Sequence, residues 1–470
     1  MANIRYKVEG GLSTNQLEML NGRAMTILGT MGMEVNHAPS KEFLRGKAGF
    51  AIDGNRVRIS RALLDECVEA ARGKTYAGGT FESQEENWGV GILSGYPLHL
   101  ADWRTNSVHP FREQDVRDMA KLVDALHDRM VSGSAPGMPQ DLPTEIQAVR
   151  CFRIGAENCR AGGSVPVDSA RTAEWIYRLM EVTGQRFGLG LYVVNPLKID
   201  GDTIEQLYLM RDKPMDIHVG CMPMMGVSAP IHVMGAFALA LASVWGGYAI
   251  ARELTGRDDI LFTSRIWPVN MKNLAIVYGG PEMVWSELVF KQIREFYHWY
   301  GPETDAYHSS APFHDGQAAA QRGAYGMAAA LAGKRQFQFG GMLGVDLVFS
   351  PVQLLLDIEM VRYFKHVTDG FEFSEDAFCM DAIMEVGPTG SFLGHPTTLL
   401  NHHKVLWDSH LWTTDSVGTW QAGGAPTFLD RAAQEIEELI KKHDYHLPDD
   451  KARELDQLCQ KAEAALLGKK

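Results

Sequence analysis

The sequence predicts an α/β protein, a (β/α)8 TIM barrel with an N-terminal α+β extension and a C-terminal helical tail. Three observations carry that prediction. From about residue 113, short apolar runs alternate with amphipathic stretches of helical period roughly eight times in series, as a closed parallel barrel requires. No GxGxxG or P-loop follows any of these runs, so the usual marks of an open doubly wound sheet are missing. The 470 residues exceed a minimal barrel of roughly 250, which leaves material for both ends.

The extension covers residues 1–112. A helix is expected from Ser13 to Met33, capped at Ser13 or Thr14, and a second from Ser60 to Arg72, capped at Ser60. Between them GFAIDGNRVRIS reads as a hairpin turning at Asp53-Gly54, and YPLHLADWRTNSVHPF alternates like a further strand pair. The barrel is expected over 113–373. Its strands fall in DRMVSGSAP, CRAGGSVPVD, FGLGLYVVNPL, MDIHVGCMPMMG, DDILFTSRIW, LAIVYGGP, TDAYHSSAPFHD and KRQFQFGGMLG. Its helices include Thr144 to Cys159, one starting near Ser169, Glu282 to Tyr300, and PVQLLLDIEMVRYFKHV. The tail, 374–470, opens on a Gly/Pro/His loop and ends in two polar amphipathic helices, 427–443 and 448–467.

Ile231 to Ala251 carries no Asp, Glu, Lys or Arg and is long enough to cross a bilayer. It is rich in Ala and Gly, however, and follows Pro230, as the first turn of a helix prefers. A helix buried on all sides of a large protein fits that composition better than a membrane span. Its apolar face from Phe237 to Tyr248 is a candidate subunit contact, with a homo-oligomer as the expected assembly.

The net charge of −13 is spread along the chain without a basic stripe, which removes nucleic acid and anionic lipid as partners. None of the six cysteines has CxxC spacing, so neither a zinc ribbon nor a thioredoxin motif is present. Together with 22 Met, this usage points to a reducing cytoplasm. The start, MANIRYKVEGG, has no apolar core of a signal peptide.

In a barrel the catalytic groups come from the C-terminal ends of the strands. Here those ends are rich in Gly, Ser, Met and aromatics and poor in carboxylates, so the paired acids of glycoside hydrolysis are not evident. Small, flat strand ends permit a broad planar cofactor or a partner protein to approach closely. Tyr96, Trp103, Tyr192, Trp267, Tyr307, Phe337 and Phe339 all lie near strand ends. Any one of them can simply cap the core, but as a set they fit a cage for a quaternary ammonium, worth about 0.5–2 kcal/mol per ring. Arg265 ends an apolar strand, where a guanidinium can clamp a carboxylate or pair with a loop acid. His308, His314 and Asp315 share one loop and can orient a carboxylate or do acid–base work. His395, His402, His403 and His410 do not follow a known metal-ligand spacing, and no metal is expected.

Four blocks give the chain a resemblance along nearly its whole length: LADWRTNSVHPFREQDVRDMAKLVDAL, SAPFHDGQAAAQRGAYGM, GGMLGVDLVFSPVQLLLDIEMVRY and MEVGPTGSFLGHPTTLL. It resembles the trimethylamine methyltransferase superfamily of corrinoid-dependent enzymes. Ordinary residues occupy Ser309 to Asp315, where the archaeal enzymes carry pyrrolysine, so the likeness is to the non-pyrrolysine branch, which includes betaine demethylases. The family's His-Thr near the C-terminal loop appears here as Thr397-Thr398, with the histidine displaced to His395. The resemblance implies a (β/α)8 barrel that passes a methyl group from a small quaternary ammonium carboxylate, such as glycine betaine, to Co(I) of a corrinoid (cobalamin) on a separate cognate protein. Cobalt is then the nucleophile and the amine leaves neutral, so no catalytic acid is needed from the chain.

On that reading the aromatics hold the ammonium and Arg265 or His308 the carboxylate. Gly163, Ser164, Gly220, Met222, His314, Gly340, Gly341 and Met342 would face the corrinoid. Two other classes stay open: a quaternary-amine-binding barrel without activity, and a metal-assisted hydrolase or lyase using the His308–Asp315 loop.

Overall fold

The computed structural model describes residues 2–72, 87–167, 169–299 and 307–468. The N-terminal region contains β1 (Ala2–Ile4), α1 (Thr14–Thr30), β2 (Met33–Val35), α2 (Ala38–Leu44), β3 (Phe50–Asp53), β4 (Arg56–Ile59) and α3 (Arg61–Ala71). Ser13 caps α1 through a capping box with Gln16, and Ser60 caps α3. The hairpin β3–β4 turns at Gly54, whose φ of 62° suits glycine. Helix α1 stops at Thr30, short of Met33, because β2 begins there and pairs with β4.

Next come β5 (Gly89–Gly91), β6 (His99–Asp102), β7 (Ser107–Pro110), α4 (Glu113–Ala125), β8 (Val131–Ser132), α5 (Thr144–Asn158) and α6 (Ala170–Thr183). They are followed by β9 (Gly188–Val193), β10 (Lys198–Ile199), α7 (Gly201–Met210), β11 (Asp216–Cys221), α8 (Val233–Thr255), β12 (Ile260–Thr263), α9 (Pro281–Phe296) and α10 (Gly316–Leu331). Then follow β13 (Gln336–Gln338), β14 (Met342–Leu343), β15 (Val348–Phe349) and α11 (Pro351–Asp369). The result is a mixed α/β fold with two parallel triplets, β13-β5-β8 and β9-β11-β12, surrounded by helices.

Three expected strands form no ladder over their described residues. LAIVYGGP is a returning loop: Asn270 and Asn273 turn the chain, Val269 bridges Ile276 antiparallel, and Tyr278 is carried back over the strand ends. CRAGGSVPVD forms no ladder over its described residues, because Gly162 and Gly163 weaken a strand and Pro166 lacks a donor. At 307–310, Ser309 Oγ donates to Gln321 Oε1 and Ser310 Oγ to the Tyr278 carbonyl, both at 2.8 Å. Tyr307 N still reaches Gln338 O at 3.3 Å. The remainder of that expected strand, and Tyr300 at the end of the Glu282 helix, lie outside the described residues. The parallel series also starts upstream of residue 113, because β5 pairs with both β8 and β13.

Helix α8 is the apolar segment long enough to cross a membrane, and it lies in the protein core. Side chains at Gly246 and Gly247 would overlap Met33 and Val219, so α8 is sandwiched between the N-terminal elements and the strands. Phe237 and Tyr248 are fully buried by the chain's own residues, so this face is unavailable as the expected subunit contact.

Beyond α11, β16 (Phe371–Phe373) pairs antiparallel with β1. After it come α12 (Met380–Val386), α13 (Pro396–Val405), α14 (Val417–Ala422), α15 (Phe428–Lys442) and α16 (Asp449–Leu467). The last two pack on α4, α5, α6 and α11 through Ala432, Ile436, Leu455 and Cys459.

Candidate functional site

Parallel strands place their C-terminal ends together, and here the connections beyond them converge. Tyr278 arrives on the returning loop, His308 at the end of the next segment, and Phe339 just past β13 with φ of 68°. The imidazole of His308 stacks on Tyr278 at 4.1 Å between centroids and lies tilted against Phe339 at 4.3 Å. Trp267 meets the edges of Tyr278 and His308 at 5.2 and 5.8 Å. The cluster is close-packed, with Trp267, Tyr278 and His308 all buried.

Opposite the ring edge lies Asp346, with Oδ1 2.6 Å from His308 Nδ1. It was not foreseen from the sequence, because it sits inside the apolar block GMLGVDLVF. Its position depends on two left-handed residues, Val345 and Asp346, and on the pairing of β15 with β6, which brings Leu98 and His99 N–H onto the Leu347 carbonyl. That pairing also brings the half-exposed Tyr96 within the field of the Asp346 carboxylate; burial, and then this carboxylate, raise the phenol above its ordinary range. Burial alone would raise the Asp346 carboxyl, but His308, Tyr278 and Arg322 together hold it below its usual range. An acid among otherwise apolar residues, a few positions past a Gly-Gly strand end, was the available signal.

Two ring nitrogens of the cluster have no hydrogen-bond partner among the described residues. Trp267 Nε1 is buried with no hydrogen-bond partner among the described residues. His308 is bonded through Nδ1 only, and Nε2 has no partner among them. A buried indole N–H such as that of Trp267 is normally satisfied.

The loop beneath is fixed by a buried pair. Arg322 Nη1 lies 2.8 Å from Asp357, while Nη2 donates to the carbonyls of Phe339 and Met342. Asp357 in turn accepts from Gly341 N–H at 2.7 Å and from Gln353 at 2.8 Å. Burial pushes the Asp357 carboxyl up to about 6, against the pull of Arg322 and these donors, which leave it ionised at neutral pH.

The other candidate residues are placed as follows. Arg265 is buried and paired with Glu287, whose carboxylate also receives Tyr325 Oη at 2.5 Å and Lys334 at 3.4 Å. Tyr307 and Phe337 face the helices: Tyr307 Oη reaches Met360 Sδ, and Phe337 packs on Tyr307 and Phe364. Alternation along extended chain explains why Tyr307 and its neighbour His308 point oppositely. Trp103 lies on the β6–β7 turn, bonded to Glu437 of α15 and stacked on Arg104, apart from the cluster.

Tyr192 and Met222 are half-exposed and Ser164 is exposed at the strand ends, with Tyr192 edge-on to His218 at 6.0 Å. Gly163, Gly220, Gly340, Gly341 and Met342 are buried. A Cβ at Gly340 would overlap Val90, and one at Gly163 would overlap Phe152, so these glycines serve internal packing instead of baring backbone. His314 is buried against Ser350 at 2.9 Å, and burial pushes its imidazole down to about 4. Asp315 caps α10, and His395 caps α13. His308, His314 and Asp315 thus diverge, and among the described residues no three His, Cys, Asp or Glu are grouped to hold a metal ion.

Against this geometry stand the comparisons with known proteins. The family described as Trimethylamine methyltransferase (MTTB) matches residues 5–466. Trimethylamine methyltransferase MttB of Desulfitobacterium hafniense (strain DSM 10664 / DCB-2) is 22% identical, covering 93% of this chain and 91% of that protein. Glycine betaine methyltransferase of Desulfitobacterium hafniense (strain Y51) is 23% identical, covering 87% and 88%. The crystal structure of the Methanosarcina barkeri monomethylamine methyltransferase aligns over 93% of this chain and 89% of its own at 12% identity, with a TM-score of 0.38.

Proposed function

The chain belongs to the trimethylamine methyltransferase family and is a methyltransferase; from that premise we propose that it takes its methyl group from a small quaternary ammonium carboxylate and delivers it to a corrinoid carried by a separate protein. The observation that carries this reading is the buried, unpartnered Trp267 Nε1 beside the His308 ring, whose Nδ1 is held by the Asp346 carboxylate at the strand ends. In its imidazolium form His308 donates from Nε2, and Trp267 donates from Nε1, so the two together suit a substrate carboxylate. Asp346 keeps the ring oriented and balances its charge.

A trimethylammonium group has no donor to offer and is held by ring faces and a nearby negative charge. The partly exposed rings of Phe339 and Tyr96, with Asp346 behind them, supply both. Arg265 is committed to Glu287, so within this reading His308 takes the carboxylate role.

The residues present fit a corrinoid face. Tyr96, Ser164, Tyr192 and Met222 are exposed at the strand ends, and none carries a charge at neutral pH. They would meet the flat macrocycle, and no protein ligand to cobalt is required of this chain. When bound, the corrinoid supplies a cobalt(I) nucleophile that accepts a methyl group as the amine departs neutral. What this chain contributes is alignment of one N–CH3 bond and exclusion of water around the cation.

The remaining architecture follows the same reading. We take the two parallel triplets as arcs of one eight-stranded barrel, closed through 162–167 and 307–310. Six cysteines without a disulfide among the described residues fit a reducing cytoplasm.

Calorimetry against glycine betaine, proline betaine, carnitine and butyrobetaine, with trimethylamine as the compound lacking a carboxylate, tests the proposal. At least one betaine should bind at least ten-fold more tightly than trimethylamine. Equal affinity for trimethylamine, or no binding across the set, removes the carboxylate-binding role.

A further inference from the structure

We propose that Gln321 is a positioning residue for the site, its side-chain carbonyl holding the His308 and Tyr278 rings in the arrangement that binds a betaine. The proposal rests on the substrate reading above and adds to it the group that assembles the two rings. Gln321 lies on the second turn of α10 and is half-buried. A side chain on a helix places its partners more exactly than one on a loop.

The segment carrying His308 needs such an anchor, because it forms no ladder over its described residues. On one side of His308, Tyr307 N–H reaches Gln338 O at 3.3 Å. On the other side a single acceptor does the holding. Gln321 Oε1 takes Ser309 Oγ–H at 2.8 Å and Ser310 N–H at 3.2 Å. Ser309 is buried, and its Oγ also accepts Ala311 N–H at 3.1 Å, so the turn after His308 is fixed in one shape.

The same side chain meets the loop that carries the other ring. A Cβ at Gly279, where φ is 73°, would stand 2.7 Å from Gln321 Cβ and 2.8 Å from its Cδ. The backbone just past Tyr278 is therefore packed directly on Gln321. Ser310 Oγ closes the circuit by donating to the Tyr278 carbonyl at 2.8 Å. One amide thus touches both segments whose rings stack at 4.1 Å. The next residue, Arg322, donates to the Phe339 carbonyl at 3.2 Å, so two consecutive residues of α10 fix His308 and both rings packed on it.

Only half of the Gln321 amide is used. Its Nε2 has no hydrogen-bond partner among the described residues. Gln321→Glu therefore keeps both accepted bonds, whereas Gln321→Met keeps the length of the side chain and loses them.

The test compares these two variants with the wild type in calorimetry against the same betaines and in NMR of the His308 imidazole, its signals assigned by their loss in His308→Gln. Gln321→Met should weaken betaine binding at least about 10-fold, because misplacing a positioned group by about 1 Å costs up to about 100-fold. Its His308 ring protons should move downfield as they leave the shielding face of Tyr278. Gln321→Glu should return both readouts to near the wild-type values. Ser309→Ala removes a donor instead and should move the ring in the same direction, whether or not Gln321→Met folds. Combined with Gln321→Met it should do less than the sum of the two, since they share one bond. A Gln321→Met protein of lowered Tm with unmoved His308 signals and unchanged affinity overturns the proposal, as does a Gln321→Glu protein no better than Gln321→Met. If the wild type binds no betaine, the substrate reading falls, while the His308 shift and its rescue still decide the role of Gln321.

Discussion

Asp346 Oδ1 lies 2.6 Å from His308 Nδ1, and the imidazole so oriented is packed between Tyr278 and Phe339. The carboxylate therefore sets the direction of the ring. Asp346→Asn keeps the shape and removes the charge. We expect KM for a betaine to rise roughly 10-fold or more with a smaller change in kcat, since a binding contact is weakened in ground and transition states alike. Steady-state kinetics with reduced cobalamin as acceptor measures this, and a loss confined to kcat would count against the assignment.

Arg265 and Glu287 form a buried pair, with Tyr325 and Lys334 on the same carboxylate. Burial alone would raise that carboxyl, but Arg265 and Lys334 hold it far below its usual range. Breaking such a pair costs about 3–5 kcal/mol because one charge is left uncompensated. Glu287→Gln should therefore lower the urea midpoint sharply. Arg265→Met with intact stability and lost betaine binding would return Arg265 to the substrate.

His314 gives a pH dependence with a definite sign. Its folded value, about 4, lies below the ordinary 6.5, so the unfolded chain takes up the proton first as pH falls. The stability from the neutral buried ring is complete above about 6.5 and is lost as pH drops toward about 4. Allowing for screening, the loss is roughly 2 kcal/mol. Asp346, held below its usual range, adds a separate loss only at lower pH. Urea midpoints at pH 7 and pH 4.5 should differ less for His314→Gln than for the wild type; an equal difference would contradict the assignment.

Gly340 is buried at the end of β13, where a Cβ would overlap Val90 and press on Leu354. Gly340→Ala should cost about 1–3 kcal/mol through forced repacking. Because the same turn carries Phe339, affinity for a betaine should fall with it. Thermal unfolding and calorimetry together check this, and an unperturbed Tm would show that the turn accommodates the methyl group.

Much of the fold is legible in residue patterning. Ser13 and Ser60 mark helix starts by their hydroxyl caps, Asp53-Gly54 marks a hairpin, and the Ala/Gly composition of α8 marks a helix with close neighbours on two sides. The strand β5 was missed because Gly89-Val90-Gly91 has almost no side chain to alternate. LAIVYGGP misled because its apolar residues serve a returning loop and not a ladder.

Of the expected aromatic set, the fold brings Trp267 and Phe339 together around His308 near the strand ends. Tyr307 and Phe337 were not separable from them, since one residue of phase decides which side of a strand a ring faces. Asp346 was hidden because its place depends on a left-handed turn and on β6 pairing across nearly the whole sequence. The strand-end glycines looked open in sequence and are buried in structure, because a glycine that bares backbone and one that admits a neighbour look alike.

The most direct test is the absorption spectrum of cobalt(I) cobalamin mixed with this protein and each betaine in turn. The expected result is conversion to the methylcobalt(III) spectrum that depends on both protein and a betaine, is absent with trimethylamine, and is reduced in Asp346→Asn. No spectral change with any betaine, with or without the cognate corrinoid protein, would contradict methyl transfer from a quaternary ammonium carboxylate.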